Sequence, residues 1–182
     1  ELRFPTAMRS VNLCSPRWPS TVVLGADETA APPPARAALG LDVTDRAYRI
    51  ERLRSADGAP MAHEVSWLPA APLPGMLERD LTSSIYSILA HDYGRVLDSA
   101  AQTMWAEGAD PLRARLLRVP PAAPLLVFRK TSYASGRPME HVTSWYRADR
   151  YQVHMTLDRT PQTGSPFDRS NHHPPNSSRE YR

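Results

Sequence analysis

SADGAPMAHEVSW at positions 55–67 and YASGRPMEHVTSW at positions 133–145 are the stretches that decide the fold of this chain. They align without gaps at an offset of 78 residues, and Gly, Pro, Met, His, Ser and Trp recur at matching places. Self-similarity at a fixed offset marks a duplicated structural unit. Working backwards, Leu39 pairs with Leu117, Leu41 with Val119, Ile50 with Phe128 and Arg52 with Lys130, so the repeat takes in a short helix and the strand after it. Strand-like stretches precede both helices, at Thr21 to Leu24 and at Arg95 to Glu107. Each half is therefore β-α-β-β, which predicts an α+β fold with a pseudo-two-fold antiparallel sheet and flanking helices.

In each repeat a Gly sits between alternating segments, in Ala-Asp-Gly at 56–58 and Ala-Ser-Gly at 134–136, so both are expected to be tight hairpin turns with the Gly at positive φ. Between the halves lies an insertion with no counterpart. It is Pro-rich over 69–74, and then predicts a helix from about Ser83 to Tyr93, started by Thr82 or Ser83 and stopped at Gly94. Tyr151, Val153, Met155 and Leu157 alternate with polar residues and predict a last, half-buried strand. From 159 to 182 only Phe167 and Tyr181 are large apolar residues, so a tail without a core of its own is expected, with the domain proper at 1–158.

The chain of 182 residues is 41% hydrophobic, enough for one compact domain and cramped for two. Its cations are 21 Arg and Lys130, scattered, with a net charge of only +3, so no basic stripe outlines a nucleic-acid surface. Cys14 is the single cysteine, which excludes an internal disulfide and fits a reducing, cytoplasmic compartment. No apolar run is long enough to span a bilayer, so no membrane association is expected. His172 and His173 stand alone in a polar tract, and neither a metal nor a cofactor is expected. The first residue is Glu1 rather than Met, so further chain is expected on the N-terminal side.

The strand from Arg46 to Arg54 puts Tyr48, Ile50, Arg52 and Arg54 on one face. If that face packs, both guanidiniums need anionic partners. Hairpin register decides whether Glu64 is one. A two-residue turn at Asp57-Gly58 pairs Arg52 with His63 and sends Glu64 to the other face; a three-residue turn pairs Ile50 with Glu64 and sets Glu64 diagonally beside Arg52. The second is preferred. Glu140, Val142, Ser144 and Tyr146 share a face in the second half, and the insertion helix brings Ser83, Ser84, its N-terminal N–H groups and Tyr86. Arginines, serines and a helix start suit a phosphate or carboxylate, while Glu64, Glu140 and Tyr146 suit hydroxyl or amine groups, so a phosphorylated sugar or polyol answers both. No nucleophile, base and orienting group stand together, which argues against an enzyme.

Positions 48–69 (YRIERLRSADGAPMAHEVSWLP) and 80–86 (DLTSSIY) resemble the UTRA domain of GntR-type, HutC-subfamily transcription regulators. So do Gln102-Thr103, the segment 117–126, and 136–151 from Gly136 to Tyr151; the resemblance covers roughly 20–157. It implies a chorismate-lyase-like antiparallel sheet that binds an effector and alters the DNA affinity of a separate winged helix-turn-helix domain preceding Glu1. It implies homodimers, operator DNA as partner through that other domain, and an effector pocket at Arg52, Arg54, Glu64, Ser84, Tyr86, Glu140 and Tyr146. A Phe-Thr-Glu-like entry segment common in the family is replaced here by Phe4-Pro5-Thr6-Ala7-Met8. Alternatives are a dimerisation module with a vestigial pocket or, less well supported, a lyase-like enzyme.

Overall fold

Strong β-formers alternate with polar residues through most of the body, and in the computed structural model they build one six-stranded antiparallel sheet; the structure describes residues 20–153. The elements run β1 (Ser20–Thr29), α1 (Pro33–Leu39), β2 (Ala47–Ala56), β3 (Ala59–Pro69), a short 3₁₀ turn (Met76–Glu78), α2 (Ile85–Tyr93), β4 (Ser99–Gly108), α3 (Pro111–Leu117), β5 (Pro124–Ala134) and β6 (Arg137–Arg147). In space the strands lie in the order β1-β2-β3-β6-β5-β4, so the two β-α-β-β units meet along β3 and β6 with β1 and β4 at the outer edges. The α+β fold and the duplication stand as the sequence predicts.

The repeat holds down to backbone detail. Both helices begin with Pro at the first turn, where a missing N–H costs nothing, and both end in a left-handed residue, Gly40 (φ 63°) and Arg118 (φ 53°). Both hairpins turn on two residues of positive φ, Asp57 (51°) with Gly58 (72°) and Ser135 (51°) with Gly136 (74°). This is the two-residue turn whose twist matches that of the strands.

The register differs from both alternatives above. Ala56 faces Ala59, as a two-residue turn requires, but Ser55 faces Pro60 and Arg54 faces Ala62, leaving Met61 as an extra residue. Met139 is extra in the same way between Tyr133↔Pro138 and Ser132↔Glu140. Proline has no N–H to give to the ladder, and a bulge beside it is the usual outcome. The expected three-residue turn is thus incorrect, and Arg52 stands directly opposite Glu64 rather than diagonal to it.

Other boundaries also move. β4 begins at Ser99, not Arg95, and β1 extends to Thr29. Residues 151–153 carry no regular structure, contrary to the expected last strand. The rest of that strand, the tail 159–182 and the entry segment at 4–8 lie outside the described residues.

The sheet is packed on both sides. α1 and the chain before it cover one end of its first face, where Ala31 and Ala35 cluster with Ala47 of β2, with Leu41 and Trp67 against them. α3 covers the other end through Ala114 and Leu117, which meet Leu125, Leu53 and Trp145. Among the described residues the second face is covered at one end, where α2 and the chain before it lay Leu73, Met76, Leu81, Ile85, Ile88 and Leu89 on Tyr48, Ile50 and Leu68. Beyond that apolar end, the same face turns polar.

Candidate functional site

Strand registry carries three rows of side chains across the second face. One row runs Arg52, Glu64, Ser144, Phe128 and Met104; its neighbours run Arg54, Ala62, Tyr146, Leu126 and Ala106, and Ile50, Ser66, Val142, Lys130 and Gln102. Directly opposed residues in an antiparallel pair share a face, so the two hairpins bring their polar groups together under the start of α2.

At the centre, Arg52 and Glu64 are each only 6% exposed. The Arg52 Nη2 donates to Glu64 Oε2 at 3.0 Å, and its Nη1 donates to the Ser83 carbonyl at 3.2 Å. Arg52 Nε is buried and finds no partner among the described residues. Arg54, 46% exposed, reaches the other oxygen of Glu64 at 3.9 Å, and the Tyr146 hydroxyl donates to that oxygen at 3.4 Å. Burial pushes the Tyr146 phenol well above its ordinary value, and the Glu64 charge adds to the rise.

The second half supplies the other wall. Glu140 is 2% exposed and accepts from the Ser66 hydroxyl at 2.9 Å. Burial raises its carboxyl pKa, against the opposing pull of Lys130 and Ser66 and with the help of Glu64. The Tyr86 and Ser132 hydroxyls are 2.9 Å apart, and Lys130 Nζ lies 4.9 Å from the centre of the Tyr86 ring.

Helix α2 starts at Ile85, two residues later than predicted. Asp80 accepts from the Thr82 amide and hydroxyl and from the Ser83 hydroxyl, which holds both residues in a turn before the helix. Ser84 is therefore the cap; its hydroxyl accepts from the Ser87 amide at 3.4 Å, and Gly94 closes the helix in the left-handed region. Ser83 meets the site through its carbonyl, not its hydroxyl.

Of the eight residues predicted, Arg52, Arg54, Glu64 and Tyr146 form one connected cluster, with Ser83 bonded to Arg52. Glu140 and Tyr86 stand in the adjoining wall, and Ser84 is occupied as a cap. Sequence reasoning missed Ser66, Ser132 and Lys130 as members of this face. The repeat held the signal, because Ser66 is the equivalent of Ser144, Ser132 of Arg54 and Lys130 of Arg52. An open hollow of about 550 Å³, bordered by Met104, Ala106, Leu126 and Tyr151, adjoins the site; none of the eight residues lines it. Tyr151, on its border, packs on Tyr146 at 4.2 Å and on Phe128 at 5.7 Å between ring centres.

The first face holds the repeat histidines, both buried and both away from this cluster. His63 Nε2 lies 2.7 Å from Glu51 Oε1 and the ring stacks on Trp145, while His141 Nδ1 lies 2.9 Å from the Thr131 hydroxyl. Among the described residues no three His, Cys, Asp or Glu side chains are placed to hold a metal ion, and no helix is long and apolar enough to cross a membrane.

The family model of the UTRA domain matches residues 16–152. The chain belongs to the UTRA domain family. Among curated relatives, this UTRA domain is 32% identical over 124 residues to the HTH-type transcriptional repressor NagR of Bacillus subtilis, covering 68% of the chain and 51% of the relative. It is 31% identical over 140 residues to the HTH-type transcriptional regulator Rv0792c of Mycobacterium tuberculosis, covering 74% and 52%. It is 25% identical over 116 residues to the Escherichia coli repressor MngR of a mannosyl-D-glycerate transport and metabolism system, covering 63% and 48%. The chain thus spans about half the length of these relatives. Among solved structures it matches the ligand-binding domain assigned to a GntR-family regulator of Bordetella bronchiseptica, with a TM-score of 0.73 and 28% identity over 79% of this chain and 95% of that one. The effector domain of PhnF from Mycobacterium smegmatis shares the fold, with a TM-score of 0.74 at 24% identity, covering 78% and 88%. The chain is an effector domain of the GntR regulator type.

Proposed function

We propose that this domain senses a small anionic metabolite, a phosphorylated sugar or amino sugar, in the polar cluster beneath α2. Occupancy passes to a winged helix-turn-helix domain on its N-terminal side and changes operator binding, with the domain at 1–158 working in the cytosol as a homodimer and without catalysis. One observation carries this reading: Arg52 is buried with its Nε unpartnered, and the single carboxylate beside it is shared with Arg54. A buried cation with spare donors costs free energy until an anion meets it. Arg52, Arg54, the α2 start and the Tyr86 hydroxyl supply the donors for that anion, and Glu64, Glu140 and Tyr146 face the hydroxyl-bearing end. The relative MngR is named for a system handling mannosyl-D-glycerate, itself an anionic sugar derivative.

Thermal unfolding with glucosamine 6-phosphate and related sugar phosphates tests the proposal. At about 100 times Kd, binding to the native state alone stabilises by about 2.7 kcal/mol, or roughly 5–10 °C in a domain of this size. Arg52→Ala with Ser84→Ala is expected to abolish that shift. Arg54→Ala, at a half-exposed position that the fold does not need, is expected to reduce it. An undiminished response in both variants overturns the proposed anion site.

A further inference from the structure

Lys130 is the chain's single lysine, and it occupies the repeat position of Arg52. The two are not equivalent in their surroundings. Arg52 faces Glu64 across the ladder, whereas Lys130 faces Val142 on β6 and Gln102 on β4. It is half-buried, and among the described residues no carboxylate lies within ion-pair distance of its ammonium. Its ammonium lies 4.9 Å from the centre of the Tyr86 ring of α2, and Tyr86 in turn meets Ser132. Glu140 on β6 and Glu64 on β3 act on it from further off. Burial works against the ammonium, but Tyr86, Glu140 and Glu64 outweigh it and hold the charged form.

The charge around the site is therefore uneven. Arg52 and Arg54 share the single carboxylate of Glu64, Lys130 has none within ion-pair distance, and Glu140 is tied to the Ser66 hydroxyl. An anion that meets all three cations gains from each charge it carries. A phosphate monoester, whose second ionisation falls near pH 6, is a dianion at pH 7.5 and carries two. A sulfate ester has the same shape and a single charge.

We infer that Lys130 is a third cation of the effector site and sets its preference for a dianionic phosphate monoester over monoanionic esters and carboxylates. This rests on the sensor function proposed above. The test is calorimetric titration at pH 7.5 of the wild-type chain, K130Q and K130R with glucosamine 6-phosphate and glucosamine 6-sulfate. The wild type is expected to bind the phosphate at least about tenfold more tightly than the sulfate, the scale of one charge contact near a protein surface. K130Q is expected to bring the ratio near one, and K130R to restore it. A fold defect lowers both affinities together and leaves the ratio intact, so an unchanged ratio in K130Q overturns the inference. So does a wild type that shows no preference. If neither hexose ester binds the wild type, the sugar-phosphate function fails, and methyl phosphate, a dianion, against methyl sulfate, a monoanion, on the same variants decides the role of Lys130 by the same ratio.

Discussion

The two hairpins, β2-β3 and β5-β6, share a backbone and differ in what they carry. Each turns on two left-handed residues, each has a bulge two residues beyond the turn at a Met that follows a Pro, and each follows a one-helix crossover from an edge strand. On the face beneath α2, the first hairpin pairs Arg52 with Glu64, and the second sets Lys130 against Val142. On the opposite face, His63 has the carboxylate of Glu51 beside it, whereas His141 has Arg129 as its charged neighbour. The duplication is kept where the chain must turn and pack, and abandoned where charge is placed. One asymmetric polar cluster is the result, not two equal ones.

The largest expected break in the comparison comes from its central pair. Glu64→Ala leaves Arg52 buried and uncompensated, and is expected to cost about 3–5 kcal/mol in denaturant unfolding. Val142→Ala, at the equivalent position, removes only apolar surface and is expected to cost roughly 1.5 kcal/mol. The double variant Arg52→Met with Glu64→Leu is expected to regain most of the stability and none of the ligand response. Equal losses for the two single variants would show that the pair is not the asymmetric element described.

A smaller effect separates the histidines. Burial lowers the pKa of both, and Arg129 lowers that of His141 further, while Glu51 resists the change at His63. The unfolded chain therefore takes up protons first as pH falls below about 6.5, the ordinary imidazole value, and stability present above that pH is lost toward the acid side. Between pH 6.5 and 5, Glu51→Gln is expected to steepen that loss and Arg129→Gln to flatten it, as measured by urea midpoints at fixed ionic strength. A common slope in the two variants would remove the distinction.

The smallest effect lies at the helix ends. Arg118 holds a left-handed conformation that Gly40 holds in the first half. Arg118→Gly relieves the side-chain strain at some cost in chain entropy, and is expected to stabilise by about 0.5 kcal/mol, as read from the thermal midpoint.

Much of this was legible beforehand, for local reasons. The repeat and the turn glycines predicted β-α-β-β twice, and strand parity alone put Arg52 with Arg54 and Glu140 with Tyr146. The start of α2 was misplaced because Thr82, Ser83 and Ser84 are all good caps, and only the Asp80 side chain decides among them. Glu64 was assigned to the correct face through the wrong turn. The actual two-residue turn would have sent it to the other face, and the bulge at Met61 brings it back.

The duplicated architecture, the UTRA resemblance and the charged residues of one strand face follow from periodicity and from residues close together in the chain. The packed fold alone makes β3 and β6 neighbours, bonds Ser66 of one half to Glu140 of the other, and brings Lys130 to the Tyr86 ring. Those contacts join residues 44 to 74 positions apart. Pairing over such separations is fixed by how two sheet halves and a helix bury their apolar surfaces together, which no local pattern encodes.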